Sequence, residues 1–240
     1  MIAFTDAPSP NFDARRGPPD ILVLHYTGME TAEEAIARLR DAEAKVSAHY
    51  VVDEDGSILR LVPEERRAWH AGRGAWQGET DVNAASIGIE IVNPGHEWGY
   101  RPFPALQMAA VAELCLDILS RHPIPPGHVV AHSDIAPDRK QDPGELFDWQ
   151  GLAANGVGLW PAGVSGHSTR PRQDGTARAL PLLRAIGYPV DPARPDVVLS
   201  AFQRHWRPDR VDGIADGETR ARLVGLLQLA SVESVTGVLD

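Results

Sequence analysis

Cysteine is nearly absent from this chain. Of 240 residues one is a cysteine, Cys115, so no disulfide can join two parts of the chain. It lies in Ala-Val-Ala-Glu-Leu-Cys-Leu-Asp-Ile-Leu, on an apolar helical face, which fits a buried core thiol. Positive charge is not in excess either. Lys and Arg number 23 against 33 Asp and Glu, a formal net charge of −10. That balance argues against a nucleic-acid backbone as the main partner. No stretch approaches the roughly 20 apolar residues of a membrane span. The opening Met-Ile-Ala-Phe-Thr-Asp-Ala-Pro-Ser-Pro has neither the basic head nor the apolar core of a secretory leader. As written the chain reads as cytoplasmic, or as periplasmic if a leader was removed.

What is present is an alternation of short apolar runs and amphipathic stretches. Residues 1–19 read as a polar surface arm. Ile21–Leu24 reads as a core strand, and Thr31-Ala-Glu-Glu34 as a capping box opening a helix to about Ala44. Tyr50–Val52 and Ile58–Val62 flank Asp53-Glu-Asp-Gly56, a hairpin pattern. Residues 63–85 read as loop, Ser86–Val92 as a strand, and Pro104–Arg121 as the longest apolar helix. The expected fold class is α/β, a mixed central sheet with helices packed on it.

Chemistry concentrates at 129–144. Val129-Val130-Ala131 reads as a buried strand delivering His132, and the polar loop behind it carries Lys140 and Asp142 before Pro143-Gly144 turns the chain. Ile21–Leu24 ends the same way, in His25-Tyr26-Thr27-Gly28. Two imidazoles and a carboxylate from two strand ends can hold a catalytic metal with one position open. On these two segments alone a hydrogen-bonded structural histidine remains the commoner outcome.

Further segments change that balance. His25-Tyr-Thr27, Ser47-Ala-His-Tyr50, Trp69-His-Ala-Gly72, Asn83, Ser86-Ile-Gly-Ile-Glu90 and Lys140-Gln-Asp-Pro-Gly144 stand in one order along residues 20–160. In that order they resemble the zinc-dependent N-acetylmuramoyl-L-alanine amidases, whose type 2 amidase fold is shared with peptidoglycan recognition proteins. The resemblance implies one Zn2+ held by His25, His132 and Asp142. It implies a catalytic domain over 1–160 that cuts the bond between N-acetylmuramic acid, in free or 1,6-anhydro form, and L-alanine. Partners would be muropeptides or the sacculus. A non-catalytic recognition protein on the same fold is the alternative, but such proteins usually lose a metal ligand.

Within that resemblance Glu90 is the expected general base, since Ile89 and Ile91 point the other way along its strand. Lys140 is expected to face the scissile carbonyl and steady the oxyanion. Each ligand histidine should donate its second N–H to a backbone carbonyl or a carboxylate. Trp69, His70, Ala71 and Asn83 are expected to line the substrate groove, and Asn93 to offer its amide to the peptide. Ala48 stands where the phage-lysozyme and recognition-protein branch carries a tyrosine, so no catalytic Tyr is assigned, and the arrangement resembles the bacterial branch that uses the glutamate. His49 reads as a core or supporting residue. His96, His122, His128, His167 and His205 have no partner pattern, and surface positions are expected.

Glycines and prolines punctuate 155–177, so 161–177 is expected to be a linker. Residues 178–240 resemble a three-helix peptidoglycan-binding module, with Gly187 ending one helix and Asp216 or Thr219 capping the last. Pro181 predicts a late start for its first helix.

Overall fold

In a computed structural model of the chain, residues 2–162 and 174–236 are described. In order the elements are β1 (Thr5–Asp6), β2 (Phe12–Ala14), β3 (Ile21–Tyr26), α1 (Ala32–Arg40), β4 (Tyr50–Val52) and β5 (Ile58–Arg60). They continue with β6 (Arg66–Ala68), α2 (Val82–Ala85), β7 (Ser86–Ile91), α3 (Gly95–Trp98), α4 (Ala105–Arg121) and β8 (Val129–Ala131). A short turn α5 (His132–Ile135), α6 (Trp149–Ala154), α7 (Gly175–Ile186), α8 (Pro195–Trp206) and α9 (Gly217–Thr236) complete the chain. Among the described residues no helix is long and apolar enough to cross a membrane.

The main sheet runs β1-β5-β4-β7-β3-β8. Strands β4, β7, β3 and β8 are parallel, while β5 returns antiparallel to β4. The α/β expectation therefore holds, with mostly parallel strands at its centre. Alternation sorts the side chains of β3. Leu22 and Leu24 join one core with α4, including Val111, Leu114, Cys115 and Ile118. Ile21 and Val23 join a second core with Leu183, Leu199, Phe202 and Leu223 of α7, α8 and α9. Burying each such side chain contributes roughly 1.5–3 kcal/mol. The central strands are thus covered on both faces, as parallel sheets require.

Several local expectations need correction. The polar start keeps β1 and β2 exposed, as a surface arm should, but it is paired in the sheets, β1 with β5 and β2 with β6. Ser9 Oγ donates to Leu39 O at 2.6 Å, and Asn11 Nδ2 to Asp41 O and Val46 O at 2.8 Å each. Polar side chains bury here because backbone acceptors meet them. Residues 63–85 contain β6 and the Asp81-capped α2. Helix α1 opens on Thr31, whose side chain accepts from Glu34 N, but it stops at Arg40. There the Asp41 side chain takes Glu43 N, an alternative to helical pairing. Helix α7 starts at Gly175 and runs through Pro181. That residue sits on the exposed side, where a freed carbonyl can meet water. Asp216 does cap α9, accepting from Thr219 N at 2.9 Å.

Most of the expected linker, 163–173, lies outside the described residues, as does His167. Helices α7, α8 and α9 fill the region expected as a separate module, α7 beginning inside the expected linker, and their apolar faces share one core with β3 and β8. Between them lies Asp134, fully buried, which accepts from Ala131 N at 2.8 Å, Tyr188 OH at 2.6 Å and His205 Nδ1 at 2.6 Å. His205 is stacked between Trp149 and Trp206, each 3.7 Å away. It is a core residue, contrary to the surface expectation, because a carboxylate and two indoles satisfy both its polar and apolar parts. His96, His122 and His128 likewise have partners, in Glu145, Glu64 and Asp20 O.

Candidate metal centre and its pocket

The site forms where the parallel strands end. Ile21, Val23 and His25 share one face of β3, and Gly88 and Glu90 share the same face of β7, whose Ile87, Ile89 and Ile91 point into the opposite core. His25 and Glu90 are register partners. His132, expected at the end of β8, is the first residue of the turn that follows it. Ser133 N donates to Asp142 O at 3.0 Å, tying the two ligand-bearing segments together. Gly144 then turns the chain at φ +87°, where a Cβ would strike Tyr100.

Three atoms converge. His25 Nδ1 lies 2.8 Å from His132 Nδ1 and 3.1 Å from Asp142 Oδ2, and His132 Nδ1 lies 3.0 Å from the same oxygen. All three residues are buried. His132 Nε2 donates to Ala71 O at 2.9 Å, so in the neutral ring Nδ1 is a bare lone pair. A bare nitrogen facing a carboxylate oxygen repels it unless a cation sits between them. Burial first, then the nearby His132, lowers the pKa of His25 to about 4, with Asp142 opposing. Burial acts against the Asp142 charge, but the two histidines more than offset it and hold the carboxyl far below its ordinary range. Two neutral imidazoles and an ionised carboxylate are a donor set for a divalent cation, and the cluster can hold one.

A cavity of about 470 Å³ opens beside this cluster, lined by Glu90, His132, Lys140, Asp142, Trp69 and Arg139 among others. Burial, then the Asp142 charge, raises the Glu90 pKa well above the carboxylate range, while Lys140 opposes. Glu90 Oε2 has no hydrogen-bond partner among the described residues. Lys140 is half-buried and makes no ion pair among the described residues.

The chain has a family, and residues 15–145 match its model, described as N-acetylmuramoyl-L-alanine amidase. AmiD of Escherichia coli is 41% identical over 233 residues, covering 87% of this chain and 82% of that protein. The chain belongs to the N-acetylmuramoyl-L-alanine amidases. A solved complex of E. coli AmiD with the substrate anhydro-N-acetylmuramic acid-L-Ala-D-gamma-Glu-L-Lys superposes with a TM-score of 0.80, at 40% identity, over 90% of this chain and 92% of that one. AmpDH3 of Pseudomonas aeruginosa in complex with anhydromuramic pentapeptide gives 0.75 at 34% identity, over 89% and 93%. The 1,6-anhydro-N-acetylmuramyl-L-alanine amidase AmpD of E. coli is 35% identical over 168 residues, covering 62% of this chain and 90% of its own.

Not every expected groove residue of the amidase lines the cavity. Trp69 does, with its Nε1 donating to Asp13 at 2.7 Å. Asn83 stands behind the wall: its Oδ1 accepts from His70 N at 3.0 Å and Ala71 N at 2.8 Å. Ala71 is fully buried and contributes its carbonyl to His132 and Arg139. His70 does line the cavity, but it is nearly buried between His25 and Ser86, and its ring nitrogens are engaged there. Asn93 is fully buried and bonds Arg101 O and Gly95 N. These amides and rings serve the protein because the backbone around them offers unpaired groups at hydrogen-bond distance. The sequence reading missed Tyr26 and Arg139, which line the cavity and adjoin His25 and Lys140 in the chain. Adjacency to an expected ligand or catalytic residue was the available signal.

Proposed function

We propose that this amidase, with zinc held by His25, His132 and Asp142, cuts the amide between 1,6-anhydro-N-acetylmuramic acid and the L-alanine of a stem peptide. The triangle of donor atoms carries the reading. Ligands about 2.0–2.1 Å from a tetrahedral zinc lie roughly 3.3 Å apart, and the three edges here are 2.8, 3.0 and 3.1 Å. A small outward shift of the rings suits that ion. Zinc bound there would lower the pKa of a water towards about 7 and polarise the amide carbonyl.

The chain's own groups do the rest. Glu90, at the cavity wall beside the cluster and held above the ordinary carboxylate range by burial, takes the proton of the attacking water and returns it to the departing alanine amine. Lys140 sets its charge against the oxyanion. Trp69 offers an aromatic face to sugar or peptide. Arg38, Arg139 and Lys140 bring positive charge to the cavity of a net acidic chain, which suits an anionic stem peptide. The bound anhydro-muropeptides of AmiD and AmpDH3 support the 1,6-anhydro form as substrate. The helices from 178 onward we read as a peptidoglycan-binding-like unit docked on the catalytic domain.

The test is a digest of purified anhydro-muropeptide followed by mass spectrometry, with and without chelator, and with intact sacculi in parallel. Free stem peptide from the zinc-loaded protein alone is expected. Release that continues after metal stripping would overturn the zinc reading, and no release at all would overturn the substrate.

A further inference from the structure

His70 is used by none of the steps above, yet it is buried against a metal ligand. His25 Nε2 lies 3.0 Å from His70 Nδ1, and His70 Nε2 lies 3.2 Å from Ser86 Oγ. The Ser86 hydroxyl donates to Val82 O at 2.5 Å. A hydroxyl has one proton. With that proton given to Val82, Ser86 Oγ can only accept, so His70 carries its hydrogen on Nε2. Nδ1 of His70 is then an acceptor, and His25 must donate to it from Nε2. That leaves Nδ1 of His25 bare, and Nδ1 is the atom that faces His132 and Asp142.

We propose that Val82 O, Ser86 and His70 form a one-way hydrogen-bond relay that sets the tautomer of His25, making His70 a positioning residue for the metal. The inference rests on the metal reading above. Its two ligand histidines are set differently: His132 by the carbonyl of Ala71, His25 by a second imidazole. A carbonyl accepts in only one sense. An imidazole accepts or donates, so it needs its own orientation fixed from behind, and Ser86 does that. The local architecture keeps the ring in place. Asn83 holds the His70 backbone N–H. Gly88 lies against the ring so closely that a Cβ there would overlap it. His49 packs edge-on at 5.7 Å between centroids. Substrate contact is not required of any of these groups.

Three variants of the full chain test this: His70→Phe keeps an aromatic ring but has no acceptor; His70→Asn places an amide oxygen near the position of Nδ1; Ser86→Ala frees the His70 proton. Zinc affinity is measured by competition with a chromophoric chelator, and folding by thermal melt. Removing a supporting partner of a ligand histidine weakens metal binding about 10–100-fold. His70→Phe is expected in that range, His70→Asn within a few-fold of wild type, and Ser86→Ala between them. In metal-free wild type, 15N NMR of the imidazoles should place the His25 proton on Nε2, and His70→Phe should lose that preference. The relay is overturned if folded His70→Phe binds zinc as wild type does, if His70→Asn is no better than His70→Phe, or if the His25 proton is on Nδ1. A wild type that takes up no zinc overturns the metal reading and the relay together, a result distinct from unchanged uptake in the variants.

Discussion

Glu90 stands beside His25 as its register partner across the parallel pair β3–β7, on the same face of the sheet. The carboxylate is therefore carried on the rigid element next to the one that supplies the proposed ligand His25, which would hold a base to working geometry. It is held at a cost, since Oε2 is out of water with no partner among the described residues. Glu90→Gln should lower kcat about 100- to 10,000-fold while zinc uptake stays intact. Its melting temperature should equal or exceed wild type, because an amide is cheaper to bury there than a carboxylate. A lowered melting temperature, or activity within a few-fold of wild type, would count against the assignment of Glu90 as base.

Lysine occurs at only two positions, Lys45 and Lys140, while every other cationic side chain is arginine. In a chain that otherwise uses arginine, a lysine in the cavity wall is a choice of chemistry. An ammonium is a compact point charge, whereas a guanidinium is a broad planar fork. Lys140→Ala should reduce kcat/KM about 100- to 1,000-fold, and Lys140→Arg should recover only part of it. Full recovery by arginine in steady-state kinetics would reduce the role of Lys140 to charge alone.

Metal removal should be reversible. Dialysis against chelator is expected to abolish muropeptide cleavage and zinc to restore it, whereas His132→Ala is expected to remain inactive at any zinc concentration. Restoration of the His132→Ala protein by zinc would mean that His132 is not a ligand.

The sequence order of motifs was enough to single out His25, His132 and Glu90, because each sits at the end or on a fixed face of a short apolar strand, and Asp142 on the loop behind His132. Periodicity of two then determines which side chains share a face. Asn83 and Asn93 stand outside the cavity wall for a different reason. Whether a polar side chain serves ligand or backbone depends on which carbonyls and N–H groups lie within 3 Å of it, and those come from distant segments. Asn83 meets its partners 12 and 13 residues earlier, and His205 meets Asp134 across 71 residues. Local pattern does not encode such pairings. The same limit hid β1 and β2, two- and three-residue strands that exist only because β5 and β6 offer edges to them.

Acid stability should depend on Glu64. Burial works against its charge, but hydrogen bonds from Arg121, His122 and Tyr50 lower its pKa to about 2. A depressed carboxyl contributes stability that is present above its unfolded pKa, about 4.3, and lost as pH falls through the folded value. The contribution, allowing for solvent screening, is about 1–2 kcal/mol. Urea melts of wild type should therefore weaken between about pH 4.5 and 2, and Glu64→Gln should be flatter over that window and less stable above it. Parallel curves for the two proteins would remove Glu64 from the account.

The C-terminal helices bear on the site through Asp134, two residues beyond His132. Cutting the chain after residue 162 would strip Tyr188 and His205 from that carboxylate. It would also bare Ile21, Val23, Val130 and Ile135, which share a core with α7, α8 and α9. Four such side chains contribute roughly 6–12 kcal/mol, comparable to the whole stability of a domain, about 5–15 kcal/mol. A 1–162 fragment is therefore expected to melt without cooperativity by circular dichroism and to bind zinc poorly. The milder Tyr188→Phe should cost about 1–3 kcal/mol in urea and leave the fold intact. A 1–162 fragment with a sharp melt and wild-type zinc affinity would show instead that the helices are an independent appendage.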